Sequence, residues 1–359
     1  MRVLSGLSLL LWLFTTPPLW ASGLKSDEEI IYFPTSGAWS AGEGGWRVPL
    51  HGWVFEAERD SLWREGALEM LKRHLGLSAQ SNGSHTLRER GWPFLVDNER
   101  SKQITLQIAD HHVDLTPSGV NGHLYGETLL NGEAGNSTAA NRWLGFTTRM
   151  PEGDLRHFSG AVQLIEEEGI SVISDIDDTI KISNVLDKEE LLANTFLREF
   201  RPVPGMVERY RQWHQQGAAF HYVTGSPWQL YPSLEKFIEK EGFPRGSFAM
   251  RNFRLKDASL IDFLTSSHDY KVTTIDALLK RYPKRHFILV GDSGEQDPEV
   301  YGEIARRYPQ QVAAIYIHNV SGELVGDVRL QSAFAGVAEG GWRLFGDGGE
   351  LVGDVVGLE

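Results

Sequence analysis

Val172-Ile-Ser-Asp175-Ile-Asp177-Asp178-Thr179 decides the reading of this chain of 359 residues. An apolar run of the kind that forms a buried strand ends here in two carboxylates spaced two residues apart. Side chains alternate along a strand, so Asp175 and Asp177 share a face if the strand continues, and a turn starting here aims both at its C-terminal edge. Ligands of open α/β sheets bind at that edge. One carboxylate can attack an electrophile and form a covalent intermediate, while the second exchanges a proton with the leaving group and later with water. Two anions this close repel each other and any phosphate, so the pair calls for a divalent cation. Magnesium suits hard oxygen ligands best. The same residues also suit an N-cap or Asx-turn worth about 1 kcal/mol, and the rest of the chain has to decide.

Three further segments bear on it. Phe220-His-Tyr-Val-Thr224-Gly-Ser226-Pro227 reads as a second parallel strand with Thr224 at its tip, where a hydroxyl can hydrogen-bond a transferring phosphoryl oxygen. Ser226 and Pro227 read equally as the cap and first residue of a following helix, whose N-terminus is itself an anion site. Lys271 opens an amphipathic helix in which Val272, Ile275, Leu278 and Leu279 keep helical spacing. A lysine there opposes the helix dipole unless an anion faces it. Lys256 is its rival, less favoured because it lies farther from the next strand. Finally, Phe287-Ile-Leu-Val-Gly291-Asp292 is another buried-type strand ending in an acid, followed by Asp297-Pro298. Gly291 allows close backbone approach, Asp292 is placed to take the cation, and Asp297 can support the metal shell or simply cap the next helix.

In this order, Asp-x-Asp-x-Thr, Thr, Lys and Gly-Asp-x-x-x-x-Asp resemble the haloacid-dehalogenase-like phosphohydrolase superfamily. The resemblance implies Asp175 as nucleophile, Asp177 as general acid/base and Thr179 as a turn-stabilising residue. It implies Thr224 as a phosphate-binding hydroxyl, Lys271 as the cation that neutralises an aspartyl-phosphate, and Mg2+ held by Asp175, the Asp177 carbonyl and Asp292, with Asp297 in support. The candidate site is therefore Asp175, Asp177 and Lys271 for catalysis, Thr179, Thr224 and Ser226 for substrate, and Asp175, Asp177, Asp292 and Asp297 for metal.

Three longer strings, Ser174-Asp-Ile-Asp-Asp-Thr-Ile-Lys-Ile-Ser-Asn-Val185, Thr224-Gly-Ser-Pro-Trp-Gln-Leu-Tyr-Pro232 and Gly291-Asp-Ser-Gly-Glu-Gln-Asp-Pro-Glu-Val-Tyr301, narrow the resemblance. Across roughly residues 170–320 they resemble the catalytic domain of the actin-patch-associated phosphatidate phosphatases. That implies magnesium-dependent conversion of phosphatidate to diacylglycerol. The fungal members' proline-rich tail and actin-partner segments are not visible, so a soluble or macromolecular phosphate stays open as substrate. A catalytically silent binding protein is the third reading; the full set of acids, hydroxyls and lysine speaks against it.

The net charge of −13 argues against nucleic acid as a partner and against charge-driven docking on anionic lipid. Peripheral membrane contact would have to be apolar or aromatic. Residues 1–22, with Arg2, the apolar core ending at Phe14, Pro17-Pro18 and Ala21-Ser22, read as a secretory signal peptide, with an uncleaved anchor as the alternative. Export to a periplasmic or extracellular space follows. The absence of cysteine rules out lipoprotein attachment and disulfides. Oligomeric state is not legible.

Residues 23–165 read as a β-rich accessory domain, a small sandwich, with one helix near Leu62 to Leu77. Its tryptophans, Trp39, Trp46, Trp53, Trp63, Trp92 and Trp143, suit an aromatic core or, alternatively, an exposed interface patch. Residues 166–325 alternate strands near 171–175, 219–224, 286–291 and 312–317 with helices near 188–199, 204–216, 228–241, 271–281 and 298–308. This is an α/β, Rossmann-like parallel sheet with helices on both faces. Roughly 45 residues separate Thr179 from Thr224, and as many separate Thr224 from Lys271, which leaves only a minimal cap and predicts an open site. Residues 326–359 read as a glycine-rich, acidic tail or a last hairpin.

Overall fold

The computed structural model describes residues 22–57, 66, 69, 72, 84–131, 142–253 and 267–355. The signal-peptide reading of residues 1–22, apart from Ser22, and the rival Lys256 lie outside these residues, as does most of the helix expected at 62–77, of which Gly66, Glu69 and Lys72 are helical.

The N-terminal half is one sheet built around β3 (Gly45–Glu56). β1 (Glu28–Tyr32) pairs with its second half and β2 (Thr35–Ser40) with its start. A short helix, α1 (Ser84–Gly91), precedes β4 (Asp97–Asn98). The sheet then takes in β5 (Thr105–Ile108), β6 (His111–Asp114), β7 (His123–Asn131), β8 (Arg142–Thr148) and β9 (Ser159–Ile165). Because β3 runs for 12 residues, it pairs β1 and β2 along one edge and β7 along the other, so the sheet rolls around itself. Tyr32, Trp46, Leu106, Val113, Leu124, Phe146 and Val162 meet in one core although they come from distant strands. The expected sandwich is thus a single rolled sheet. Of the described tryptophans in this half, Trp46 and Trp53 are buried and Trp39, Trp92 and Trp143 half-buried, so they serve the core and the interdomain seam rather than an exposed patch. Arg245 of the second domain stacks over Trp143 at 3.8 Å.

The second sheet begins four residues after β9. Its parallel strands are β10 (Ile170–Ser174), β11 (Ala219–Pro227), β12 (Ser247–Arg251), β13 (His286–Asp292), β14 (Val312–His318) and β15 (Trp342–Phe345), in spatial order β12-β11-β10-β13-β14-β15. The order reverses between β10 and β13, which creates a crevice at their C-terminal ends. Alternate residues along each strand feed two cores. Val172, Phe220, Tyr222, Ile288 and Val290 pack under α2 (Lys188–Phe196), α3 (Met206–Gln215) and α4 (Tyr231–Glu241). Ile173, Val223, Phe287 and Leu289 pack under α5 (His268–Arg281), α6 (Asp297–Arg307) and α7 (Val328–Ala333).

Residues 326–345 therefore correct the reading of a tail or hairpin: β15 is an edge strand in register with β14, pairing Ile315 with Trp342 and His318 with Phe345. Four residues set among glycines carry too little periodicity to announce a strand; a parallel partner supplied by the fold makes one. Phe345 is buried and stacks on His318. Phe345→Ala is expected to cost about 3–5 kcal/mol, seen as a lower urea midpoint with secondary structure retained below it.

The two domains share a core. Phe33 lies 4.1 Å from Trp228, and His51 Nε2 sits 2.9 Å from His123 Nδ1 beneath the same rings. Burial pushes His123 down to about 4 and His51 well below the ordinary histidine value. Between roughly pH 6.5 and 4 the unfolded chain binds protons that the folded one refuses, so stability falls as pH falls, by about 1.4 kcal/mol per unit for each ring. The urea midpoint should drop from pH 7 to pH 5, and by less in His123→Gln.

Candidate active site

Asp175 follows β10 directly, and its N–H donates to Val290 O of β13 at 2.9 Å, which fixes it at the reversal of strand order. The sequence then breaks the strand. Asp178 takes a left-handed φ of 51°, tolerated by Asp better than by most residues. Its carboxylate accepts the N–H groups of Ser183, Asn184 and Val185 at 2.6, 2.9 and 2.6 Å, closing the loop after the strand.

Lys271, in the first turn of α5, reaches the same place from the other face of the sheet. Its Nζ lies 3.0 Å from Asp175 Oδ1, 3.0 Å from Glu295 Oε2 and 2.5 Å from Asp297 Oδ1. Burial alone would depress this ammonium; Asp175, Asp297 and Glu295 outweigh it and hold Lys271 well above the ordinary lysine value. The anion that the helix start demanded is thus three carboxylates. Thr179 Oγ1 donates to Asp175 Oδ2 at 3.2 Å, so it orients Asp175.

Asp292 ends β13. Its Oδ1 accepts from the N–H groups of Gly294 and Glu295 at 2.6 and 2.9 Å, and its own N–H donates to Asp297 Oδ2 at 3.2 Å. A Cβ at Gly291 would collide with the Asp297 carboxylate, which explains the glycine. One oxygen each from Asp175, Asp292 and Asp297 falls within 4.8 Å of the others. Asp175 Oδ1 and Asp292 Oδ2 are buried without a hydrogen-bond partner; Lys271 faces the former as a charge but off hydrogen-bonding geometry. Burial, then neighbouring carboxylates, push Asp292 well above the usual carboxylate range, and burial does the same to Asp175 despite Lys271. Orphaned hard oxygens in an electron-rich, buried cluster fit a small divalent cation, whose charge would reverse that push.

The Asp177 carboxylate is turned away from this cluster. Lys181 Nζ pairs with its Oδ1 at 2.7 Å, Ser183 Oγ donates to Oδ1 at 2.7 Å, and Ser226 and Thr224 hydroxyls donate to Oδ2 at 3.0 and 3.5 Å. Burial would raise it, but Lys181, Ser183 and Ser226 win and hold it below the usual range. Lys181, Ser183 and Glu295 are the site residues that the motif reading missed. A signal for the first two exists: Thr179, Lys181 and Ser183 alternate with Ile180 and Ile182, a period of two that separates polar from apolar side chains.

The structure brings Asp175, Asp177, Thr179, Thr224, Ser226, Lys271, Asp292 and Asp297 together, and none of them strays elsewhere. It corrects the expectation of an open site. Asp175, Asp292 and Asp297 have no exposed surface, while Asp177 keeps 7%. No cap domain is inserted among the described residues; the loops after β10 and β13 close over the site, with Val185 packed against Gly294. The mouth lies over Asp177 and the partly exposed Glu295.

The Asp-bearing loop thus sits at the switch point of a parallel α/β sheet, as the motif resemblance to the haloacid-dehalogenase-like phosphohydrolases implies. Residues 170–319 match the family model described as the catalytic domain of phosphatidate phosphatase APP1. The chain is 38% identical over 160 residues to phosphatidate phosphatase APP1 of Saccharomyces cerevisiae, covering 44% of this chain and 27% of that protein. It is 29% identical over 182 residues to an uncharacterized protein of Schizosaccharomyces pombe, covering 50% of this chain and 30% of that protein. The chain thus spans less than a third of the length of either relative. A crystal structure of phosphoserine phosphatase in apo form aligns with a TM-score of 0.30 at 12% identity, over 45% of this chain and 90% of that one.

Removing Lys181 strands a buried Asp177. Lys181→Met should cost about 3–5 kcal/mol, and adding Asp177→Asn should recover part of it. Thermal unfolding of the two variants side by side checks this.

Proposed function

We propose that the chain is a magnesium-dependent phosphomonoesterase working through an aspartyl-phosphate, with phosphatidate as substrate and diacylglycerol as product. The observation that carries it is Asp175 held between a buried lysine and two further carboxylates at the reversal point of the sheet. The match of residues 170–319 to a phosphatidate phosphatase catalytic domain supports the substrate class.

Mg2+ would be held by Asp175 and Asp292, with the Asp177 carbonyl as a further ligand and Asp297 in support, and when bound it supplies positive charge against the phosphate. Asp175, oriented by Thr179, attacks phosphorus; its carboxylate oxygen forms the new P–O bond as the ester P–O bond breaks. Lys271 offsets the charge that leaves and returns to Asp175. The phosphate's charge beside Asp177 opposes the hold of Lys181 and lets Asp177 take up a proton on substrate binding; it gives that proton to the departing alkoxide and later takes one from the water that cleaves the acyl phosphate. Thr224 and Ser226, now donating to Asp177, are within reach of the phosphoryl oxygens entering there.

Asp175→Asn should abolish phosphate release, a loss of about 1,000-fold or more, while circular dichroism and thermal unfolding show the chain folded. Full activity in that variant removes the nucleophile. Chelation with EDTA should stop release, and added Mg2+ should restore it. Phosphatidate in mixed micelles should turn over faster than a panel of soluble phosphomonoesters; the reverse order assigns the site to a soluble phosphate. Export through residues 1–22 belongs to the same reading, and N-terminal sequencing of the secreted chain tests it. Among the described residues no helix is long and apolar enough to cross a membrane.

A further inference from the structure

Exposed apolar side chains are unevenly spread over the second domain. Among its described residues, the large apolar ones that stay exposed are Leu186 (61%), Leu324 (71%), Val325 (55%) and Val328 (82%). All four lie at the C-terminal edge of the sheet: Leu186 on the loop after β10, Leu324 and Val325 on the loop after β14, and Val328 at the start of α7. That is the edge where Asp175 and Asp292 sit.

Both loops are tied to the active-site loop after β13. Val185 and Val320 flank Gly294, so that a Cβ there would lie 2.6 Å from the Val185 methyl and 3.0 Å from the Val320 methyl. Ser293 Oγ accepts the N–H groups of Val320 and Ser321 at 3.0 Å each. Arg329 donates to Ser293 O and Glu295 O while pairing with Glu323 and Glu299. Glu295 in turn touches Lys271. The apolar tips and the chemistry are therefore parts of one braced unit.

We infer that this edge is a bilayer-docking surface: Leu186, Leu324, Val325 and Val328 enter the outer acyl region of a lipid bilayer and set the mouth over a phosphomonoester headgroup. The inference rests on the lipid-phosphate reading above and adds how the substrate is reached. A bilayer fits better than a protein partner, because the apolar side chains stand beside the mouth, where a docked protein would block entry. A diacyl phosphate, by contrast, presents its phosphate on just such an apolar layer. Charge points the same way. The chain carries −13, and Asp187, Glu323 and Asp327 adjoin the exposed residues, so attraction to anionic headgroups cannot provide the contact. Apolar insertion can. Residues 320–328, which carry three of the four side chains, lie beyond the segment 170–319 that the family model matches.

The test uses the full chain with phosphatidylcholine vesicles doped with phosphatidate. The parent should float with the vesicles, and binding should persist at high salt. The triple variant Leu324→Glu, Val325→Glu, Val328→Glu should bind vesicles and release their phosphate about tenfold less, with turnover of a short-chain, water-soluble phosphatidate unchanged. Leu186→Gln, on the other loop, should show the same selective loss and stands in if the triple variant folds poorly. Equal vesicle binding and turnover in parent and variants overturns the inference, as does a parent whose binding salt abolishes. A parent that never floats overturns it too. If no substrate is turned over at all, the proposed function fails, and flotation of parent against variants still decides the docking surface.

Discussion

The site depends on one buried ammonium. Lys271 leaves water to sit among Asp175, Asp297 and Glu295, and a lysine stripped of solvent is tolerated only when opposite charge surrounds it. These partners come from the end of β10, the loop after β13 and the start of α6. Their joint hold on one Nζ sets the register in which two strands and two helices meet. Remove that point charge and three carboxylates face one another in a medium that cannot screen them.

Around it, the molecule divides negative charge into two compartments. Asp175, Asp292 and Asp297 form an electron-rich cluster with unpartnered oxygens, fit for a cation. Asp177 stands apart with its own lysine and three hydroxyls. Two carboxylates only two residues apart thus acquire opposite tendencies, one pushed up by burial and the other held down by Lys181. The turn at Asp178 makes this separation, because its left-handed φ sends the chain back so that Lys181 can return to Asp177.

The rolled β-sheet adds a wall to this arrangement. Phe33, Trp53 and Phe55 enter the same core as α2, α3 and α4, and Phe33 packs at a tilt against Trp228, just after the Thr224–Ser226 segment. The loop that carries Thr224 and Ser226 is therefore backed by aromatic rings from the other domain. No inserted cap is needed to bury the site, because neighbouring loops do it through Val185, Gly294 and Val320.

Read alone, the sequence announced the four loops, since chemistry-bearing residues at strand ends leave a local mark: an apolar run, then acids or hydroxyls, then a helix start. It also announced β10, β11, β13 and β14 with their helices, because strands buried on both faces need continuous apolar runs. β12 and β15 escaped it. Ser247-Phe-Ala-Met-Arg251 lacks β-branched residues, and Trp342-Arg-Leu-Phe345 is four residues long, so each is a strand only because a parallel neighbour offers its edge. Lys181 and Glu295 escaped as well, for a different reason. A lysine or glutamate is by default a solvated surface residue, and only the folding of distant segments around it turns it into a buried counter-charge. Local pattern determined which residues carry the chemistry. Which charge faces which, and how deeply the mouth is buried, were decided by contacts between segments far apart in the chain.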